Sequence, residues 1–178
     1  MLVFMQDDFL DAENCDALIA DYKKSNTHEW SQALTNKDKR GEGFSRFAQF
    51  YNVHYKDTEF EKNNILSSPI VEKLQTYASY LRNGELDWCH VVKWDKGAHM
   101  NPHLDTAKED TVLTSLVYLN DDYRGGETYF MDGTVFEPKK GRALFFDGKY
   151  FVHGVNKTKG IRYVLSSWYR EKKNVQSS

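Results

Sequence analysis

Residues 111–146, TVLTSLVYLNDDYRGGETYFMDGTVFEPKKGRALFF, determine the fold class of this sequence. The segment alternates short runs of β-branched, aromatic and aliphatic residues with polar, glycine-containing turn signals. Runs punctuated in this way are typical of antiparallel strands that are joined by tight turns. The predicted strands are Thr111–Leu119, Thr128–Met131 and Arg142–Phe146, and the dipeptides Gly125-Gly126 and Asp132-Gly133 lie between them.

The same pattern continues on both sides of this segment. Leu86–Trp94 precedes it and Ile161–Arg170 follows it as further predicted strands, with turn signals at Asp147-Gly148 and Lys159-Gly160. Many short strands of this kind predict a sandwich, a jelly roll or a barrel. Aromatic residues make up 15% of the chain, a fraction that suits a broad β core.

The N-terminal half of the chain indicates mixed structure that would pack on one face of the β core. Its helix signals are a good N-cap, a proline at a helix start and an Asn-Gly stop signal. The predicted elements are a strand over Met1–Met5, a helix capped by Asp11, and a helix that runs from its cap Ser68 through Pro69 to Asn83-Gly84.

Composition excludes several classes of protein. A chain of 178 residues with 40% hydrophobic and 28% charged residues is neither disordered nor embedded in a membrane. The net charge of −2 provides no positive field, which disfavours nucleic-acid binding. The N-terminus lacks the basic start of a signal peptide, and two cysteines do not make a disulfide framework. We therefore expect a cytoplasmic protein with neither a nucleic-acid nor a membrane partner.

Two histidines and one carboxylate are candidates for a metal site. His103 and Asp105 lie two residues apart in NPHLD, so on a strand they would face the same side. His153 lies in FVHGV, among strand formers. Two imidazoles and one carboxylate leave three positions of a metal open, which suits non-haem Fe(II) oxygen chemistry. The alternative is a chance pair with a core histidine at position 153. His99 is a rival ligand if the segment is helical, which Pro102 disfavours.

Arg162 is a candidate anchor for an anion. Alternation along the strand IRYVLSSWYR places Arg162 on the same face as Ser166 and Trp168. A buried guanidinium needs a partner, and a bound carboxylate supplies one through a bidentate, charge-assisted pair. Ser166 and Tyr118 are candidates for further donors to that anion. The alternative is that the guanidinium faces solvent and the neighbouring Tyr163 faces inward.

Taken together, these segments resemble the prolyl 4-hydroxylase-like branch of the iron(II)- and 2-oxoglutarate-dependent oxygenases. The resemblance runs from about Leu86 to Tyr169 and is carried, in order, by WDKGAHMNPHLD, VYLN, GGETYF, EPKKGRALFF, FVHGV and GIRYVLSSWYR. It implies a mostly β fold with flanking helices, namely a double-stranded β-helix or distorted jelly roll. We expect a single oxygenase domain over 1–178, with mixed helical support over 1–85 and a catalytic β core over 86–170.

The resemblance also implies roles for individual residues. His103, Asp105 and His153 match the catalytic iron ligands of the family. Arg162 matches the basic residue that pairs with the far carboxylate of 2-oxoglutarate, and Tyr118 matches a tyrosine that hydrogen-bonds the same carboxylate. The expected cofactor is Fe(II), with 2-oxoglutarate and O2 as cosubstrates and ascorbate as a candidate reductant.

Substrate contacts are implied by fewer positions. Ser166 falls where the family often has a small residue near the cosubstrate, and Trp168 matches an aromatic residue that borders the substrate site. Trp94 and Met100 occupy the two tyrosine positions of the family pattern YxxGxxY, so the expected substrate contacts differ from those of most members.

Residues 36–50, NKDKRGEGFSRFAQF, form a candidate lid over the substrate. Gly41 and Gly43 would permit hinge motion, and Arg46 offers a cationic substrate contact. An ordinary solvated loop that leads into a core strand is the alternative.

The activity that the resemblance implies is hydroxylation with release of succinate and CO2, by a prolyl 4-hydroxylase acting on peptidyl proline. One alternative keeps this chemistry but acts on a free amino acid or another small molecule. Another is a non-catalytic β-sandwich binding module. Nucleic-acid demethylation fits less well, because AlkB-type oxygenases place two arginines six apart after the last histidine. Here Arg162 and Arg170 are eight apart.

Overall fold

The computed structural model describes residues 1–24, 29–30, 48–55, 67–105 and 109–172, with backbone alone for 29–30, 48–55 and 67–68. Antiparallel strands dominate these ranges. The helices are α1 (Ala12–Lys24) and α2 (Ser67–Arg82), and neither has the length and apolar character needed to cross a membrane. The strands are β1 (Val3–Gln6), β2 (Glu29–Trp30), β3 (Ala48–Tyr55), β4 (Gly84–Trp94), β5 (Met100–His103), β6 (Thr111–Tyr118), β7 (Thr128–Phe130), β8 (Val135–Phe136), β9 (Ala143–Phe146), β10 (His153–Val155) and β11 (Arg162–Glu171).

The described strands form two sheets. The major sheet has the order β1-β9-β6-β11-β4-β3-β2, and the minor sheet has the order β5-β10-β7-β8. Strands that neighbour each other in space are distant in the chain: β11 lies between β6 and β4, and β10 lies between β5 and β7. This non-sequential antiparallel order is that of a jelly roll. The predicted class, mostly β with flanking helices, is confirmed.

Alternation along the strands divides the major sheet into an outer and an inner face. On β9, Phe145 belongs to the outer hydrophobic cluster with the helices, whereas Leu144 and Phe146 belong to the inner cluster. The inner cluster also contains Phe130 of β7 and Val155 of β10, so the minor sheet packs on this face. Side chains on the inner face are therefore held between two sheets, where water is largely excluded.

The helix signals in the sequence are confirmed, with one shift. Asp11 caps α1, because its Oδ1 accepts a hydrogen bond of 2.7 Å from Asn14 N. Asn83 ends α2 with a left-handed φ of 48°. However, α2 begins at Ser67, so Pro69 lies inside the first turn and not at its first position. Proline is tolerated there because the first N–H groups of a helix have no intrahelical acceptor.

Several short strands were not predicted from the sequence. The strands β5, β8 and β10 have two to four residues, too few for a period of two to be recognised. The strand β5 also contains Pro102. Among the described strands β5 is at the edge of the minor sheet, so the missing N–H of Pro102 need not interrupt the ladder.

A buried carboxylate fixes the turn that follows β9. Asp147 is 4% exposed and accepts hydrogen bonds from Arg82 Nη2 at 2.7 Å and from Leu2 N at 2.6 Å. Burial alone would raise the pKa of Asp147, but the hydrogen bonds and charge of Arg82, together with the Leu2 N–H, hold that pKa below its usual range. Asp147 thus connects α2 and Leu2, the residue before β1, to the turn that contains Gly148.

We expect Asp147→Asn to lower the free energy of unfolding at neutral pH by about 2 kcal/mol, since hydrogen bonds to charged groups contribute roughly 1.5–3 kcal/mol. A depressed folded-state pKa means that this contribution is complete above the ordinary carboxyl pKa of about 4 and is lost progressively at lower pH. Urea unfolding of parent and variant from about pH 7 to about pH 2 should therefore show converging stabilities.

The control for this prediction is Asp16→Asn, which breaks an exposed ion pair with Lys140 (2.7 Å) and should change stability little at any pH. A stability difference between Asp147→Asn and the parent that is independent of pH would contradict the prediction.

Candidate functional site

Three side chains predicted to bind metal lie together on the minor sheet. His103 ends β5 and His153 begins β10, and the two residues are opposite each other in the β5–β10 pair. Their ring centroids are 4.3 Å apart. Asp105 follows β5, with Oδ1 3.5 Å from His103 Nε2 and Oδ2 3.7 Å from His153 Nε2. One candidate ligand atom from each side chain lies within 4.8 Å of the other two, so these residues could hold one metal ion.

Backbone carbonyls determine which nitrogen of each imidazole faces Asp105. His103 Nδ1 is 3.0 Å from Asn101 O, and His153 Nδ1 is 2.9 Å from Phe151 O. A carbonyl only accepts, so each Nδ1 carries the hydrogen and each neutral ring presents the lone pair of Nε2. Two such lone pairs beside a carboxylate form a donor set for a divalent cation, with the carbonyls orienting the rings.

Asp105 is held by groups from two other parts of the chain. Its N–H donates to Gly148 O at 2.8 Å, and Oδ2 accepts a hydrogen bond of 2.8 Å from Thr114 Oγ1 on β6. Gly148 approaches so closely that a Cβ there would lie 2.8 Å from Asp105 Oδ2. Burial raises the pKa of Asp105, whereas the hydrogen bond and charge of His103 when protonated, the charge of protonated His153 and the hydrogen bond from Thr114 together lower that pKa below its usual range.

The surroundings of His153 favour its neutral form. His153 is 6% exposed, and its ring lies edge-on to Phe146 with a centroid distance of 4.6 Å. Burial lowers the pKa of His153, and the negative charge of Asp105 offsets this only in part. A neutral imidazole is the form that binds a metal ion.

Arg162 is on the inner face and is 1% exposed, so the alternative in which its guanidinium faces solvent is wrong. Its guanidinium carbon is 5.1 Å from the ring centre of Trp94 and 5.5 Å from that of Tyr118. Among the described residues, its Nε and Nη1 have no hydrogen-bond partner. A buried cation with unused donors is costly unless an anion binds to it, and the planar guanidinium matches a carboxylate.

The two other predicted cosubstrate residues are also on inner-facing positions. Tyr118 is fully buried, and its hydroxyl lies 2.9 Å from Thr128 Oγ1 and 3.0 Å from Phe136 O. The phenol is therefore already hydrogen-bonded within the protein. Ser166 is half-buried on β11, opposite Leu116 on β6.

The residues predicted to contact the substrate differ in how far they are buried. Trp168 is half-buried and stacks on Trp88 with centroids 4.9 Å apart. Met100 and Trp94 are 8% and 3% exposed and belong to the inner hydrophobic cluster, so they contact the core. Arg46 and residues 36–47 of the candidate lid lie outside the described residues, and 48–50 begin β3.

Two residues of the site were not predicted to contribute to it. Thr114 shares the inner face of β6 with Tyr118, so alternation along that strand could have identified it. Gly148 was predicted only as part of a turn, and its close approach to Asp105 has no signal in the local sequence.

A comparison with known families finds a likeness over the part of the chain that carries the site. A sequence model of the 2OG-Fe(II) oxygenase superfamily, in which 2OG denotes 2-oxoglutarate, matches residues 89–170. This part of the chain, a little under half of it, is similar to that superfamily. The matched range contains the His103, Asp105 and His153 cluster as well as Arg162. Similarity to the 2OG-Fe(II) oxygenase superfamily indicates Fe(II), 2-oxoglutarate and O2. The neutral imidazoles with an ionised carboxylate fit Fe(II), and the unpartnered guanidinium donors fit an acidic cosubstrate.

Individual relatives show how far the likeness extends. The chain is 29% identical over 136 residues to a candidate prolyl 4-hydroxylase of Acanthamoeba polyphaga mimivirus, a match that covers 63% of this chain and 56% of the viral protein. The chain thus spans little more than half the length of that relative.

Solved structures share the fold over nearly the whole chain. The viral collagen prolyl hydroxylase of Paramecium Bursaria Chlorella virus-1, solved as a 2OG complex, has a TM-score of 0.70 at 20% identity and covers 97% of both chains. A Trichoplax adhaerens prolyl hydroxylase in complex with a hypoxia inducible factor peptide fragment has a TM-score of 0.70 at 19% identity, covering 95% of this chain and 83% of that chain. The likeness confirms the predicted double-stranded β-helix fold.

Proposed function

We propose that this chain is an Fe(II)- and 2-oxoglutarate-dependent dioxygenase that hydroxylates its substrate and releases succinate and CO2. The main support is that the space between the two sheets holds both a His–Asp–His donor set and a buried guanidinium with unused hydrogen-bond donors. In this proposal His103, Asp105 and His153 hold Fe(II), which when bound supplies the oxygen chemistry and the oxidative decarboxylation of the cosubstrate.

The protein residues contribute orientation and exclusion of water. Arg162 would pair with the far carboxylate of 2-oxoglutarate, and the Trp94 and Tyr118 rings beside it would keep that ion pair dry. Ser166 would border the cosubstrate on the same strand. Thr114 would fix the Asp105 carboxylate through the 2.8 Å hydrogen bond to Oδ2. A non-catalytic binding module would have no use for this combination of buried donors and ligands.

We propose peptidyl proline as the substrate, which would make the chain a prolyl 4-hydroxylase. This proposal is supported by the prolyl hydroxylases among its relatives, one of which was solved with a peptide fragment. Trp168, half-buried and stacked on Trp88, would offer an aromatic surface at the edge of the inner face. Trp94, Met100 and Arg46 stay predictions as substrate contacts.

The domain extent, the lid, the reductant and the cellular location are also part of this proposal. We propose that 1–178 acts as one oxygenase domain, with 86–170 as its catalytic core and 36–50 as its lid, and that ascorbate serves as a reductant. A cytoplasmic location is also proposed. The buried thiols Cys15 and Cys89 suit a reducing compartment.

The test is an assay of the purified protein with Fe(II), 2-oxoglutarate and a library of proline-containing peptides. We expect peptide-dependent succinate release, and mass spectrometry should show one added oxygen atom on a proline. The matched control is each peptide with that proline replaced by alanine. Hydroxylation of free amino acids without hydroxylation of peptides would favour the small-molecule alternative. Absence of succinate with every substrate would reject the dioxygenase proposal.

A further inference from the structure

A second tyrosine lies beside Arg162, in the turn between β6 and β7. The hydroxyl of Tyr123 is buried and has no hydrogen-bond partner among the described residues. Gly126, at φ +73°, shows how close Tyr123 and Arg162 are to each other. A Cβ added at Gly126 would lie 3.0 Å from Arg162 Cδ and also 3.0 Å from Tyr123 Cε2. The Tyr123 and Arg162 side chains therefore both pack against Gly126. The Tyr123 hydroxyl and the Arg162 Nε and Nη1 atoms have no hydrogen-bond partner among the described residues.

Glycines make the space in which the Tyr123 ring lies. Besides Gly126, Gly160 approaches Tyr123 closely, since a Cβ there would lie 2.8 Å from Tyr123 Cβ. The Gly125-Gly126 pair, which the sequence predicted to be only a tight bend, therefore also brings this ring to the cosubstrate anchor. A ring in a fixed slot presents its hydroxyl in one direction, so the group is preorganised for a ligand.

The two tyrosines near Arg162 differ in the state of their hydroxyls. Tyr118 is hydrogen-bonded to Thr128 and Phe136, whereas Tyr123 makes no such bond within the described part of the chain. Leaving a buried hydroxyl unsatisfied costs about 1–3 kcal/mol. Burial raises the pKa of Tyr123, with the charge of Arg162 opposing this in part, so the phenol keeps its hydrogen and can donate.

A carboxylate is the ligand that satisfies both groups. Its two oxygens offer about four acceptor sites, enough for a guanidinium and for one further donor. We propose that Tyr123 is a cosubstrate-binding residue that donates a hydrogen bond to the same far carboxylate of 2-oxoglutarate that Arg162 binds. This inference rests on the proposed dioxygenase function, which supplies the identity of the ligand.

The test uses Tyr123→Phe, which removes the hydroxyl and keeps the ring. Both proteins are loaded with Mn(II), and 2-oxoglutarate binding is measured by calorimetry without O2, so that no turnover is needed. We expect the affinity of the variant to fall about 10-fold, the scale of one hydrogen bond to a charged group. Binding of 2-oxobutyrate, which has the keto-acid end but no far carboxylate, should not change.

Tyr163→Phe is the matched control, since Tyr163 lies on the same strand as Arg162 but in the outer cluster. It should leave the affinity for both ligands unchanged. An unchanged 2-oxoglutarate affinity in Tyr123→Phe would overturn the inference alone, and so would an equal loss for both keto acids. A parent protein that binds no 2-oxoglutarate would overturn the dioxygenase proposal and this inference together.

Discussion

Asp105→Ala is expected to lower the affinity for Fe(II) or Mn(II), and with it the rate of succinate release, by more than about 100-fold. The substitution removes the anionic member of the donor set and leaves two neutral imidazoles. Loss of an outer partner of a metal ligand already costs roughly 10–100-fold, so loss of the ligand itself should exceed that range. Calorimetric titration of the metal-free protein and a succinate assay measure the two effects separately.

His99→Ala provides the control for this prediction. His99 is exposed and lies in the same segment, and the sequence alone made it a rival ligand. It is not part of the cluster formed by His103, Asp105 and His153 among the described residues. We expect parental metal affinity and turnover in this variant. Equal metal affinity in Asp105→Ala and the parent would show that the ligand set is wrong.

Arg162→Gln is expected to raise the 2-oxoglutarate concentration required for half-maximal succinate release by roughly 100-fold or more. Breaking a buried charge pair costs about 3–5 kcal/mol, which corresponds to a factor of that size. Glutamine retains a polar side chain but loses the positive charge and the planar fork of donors. Metal affinity should stay at the parental value, because the guanidinium is not part of the His–Asp–His cluster.

Arg170→Gln tests whether the effect is specific to the inner position. Arg170 is on the same strand, is partly exposed, and has its Nε 3.6 Å from Glu85 Oε2. This variant should need no more 2-oxoglutarate than the parent. If Arg162→Gln shows an unchanged requirement, the anchor of the cosubstrate lies elsewhere. If instead its metal affinity falls, the substitution has disturbed the fold and not one ligand contact.

The parts of the fold that the sequence predicted well are those with long alternating strands. Alternation over β11 correctly separates Val164, in the inner cluster, from Leu165, in the outer one, and it groups Arg162 with Val164. The inward position of Arg162 was predicted by combining this grouping with the His–Asp–His set. The double-stranded β-helix itself was predicted from a resemblance that extends through several ordered segments. Short strands such as β5 and β10 carry too few residues for such a pattern.

The cluster of His103, Asp105 and His153 was predicted from the residue types and their spacing, and the structure brings the three side chains together. His103 and Asp105 were expected to face one side of a single strand, but β5 ends at His103. Asp105 is positioned by Gly148, which is distant in the chain and accepts a hydrogen bond from the Asp105 N–H, and by Thr114 on β6, which donates to its carboxylate. The approach of Gly148 depends on how the chain packs and leaves no trace in a local pattern, whereas alternation along β6 could have identified Thr114. Tyr123 could not be predicted as a site residue either, because it lies in a turn, and a turn has no periodic sequence pattern.

The pairing of His103 with His153 has a consequence for the stability of the minor sheet. These two residues are 50 positions apart in the chain, yet they face each other across an edge strand and its neighbour. An ion bound by both would act as a removable cross-link between those strands. An ion that binds only the folded form stabilises that form in proportion to the logarithm of the ion concentration. Since the ion would be held by β5 and β10, its removal by a chelator would loosen β5 before the helices and the major sheet.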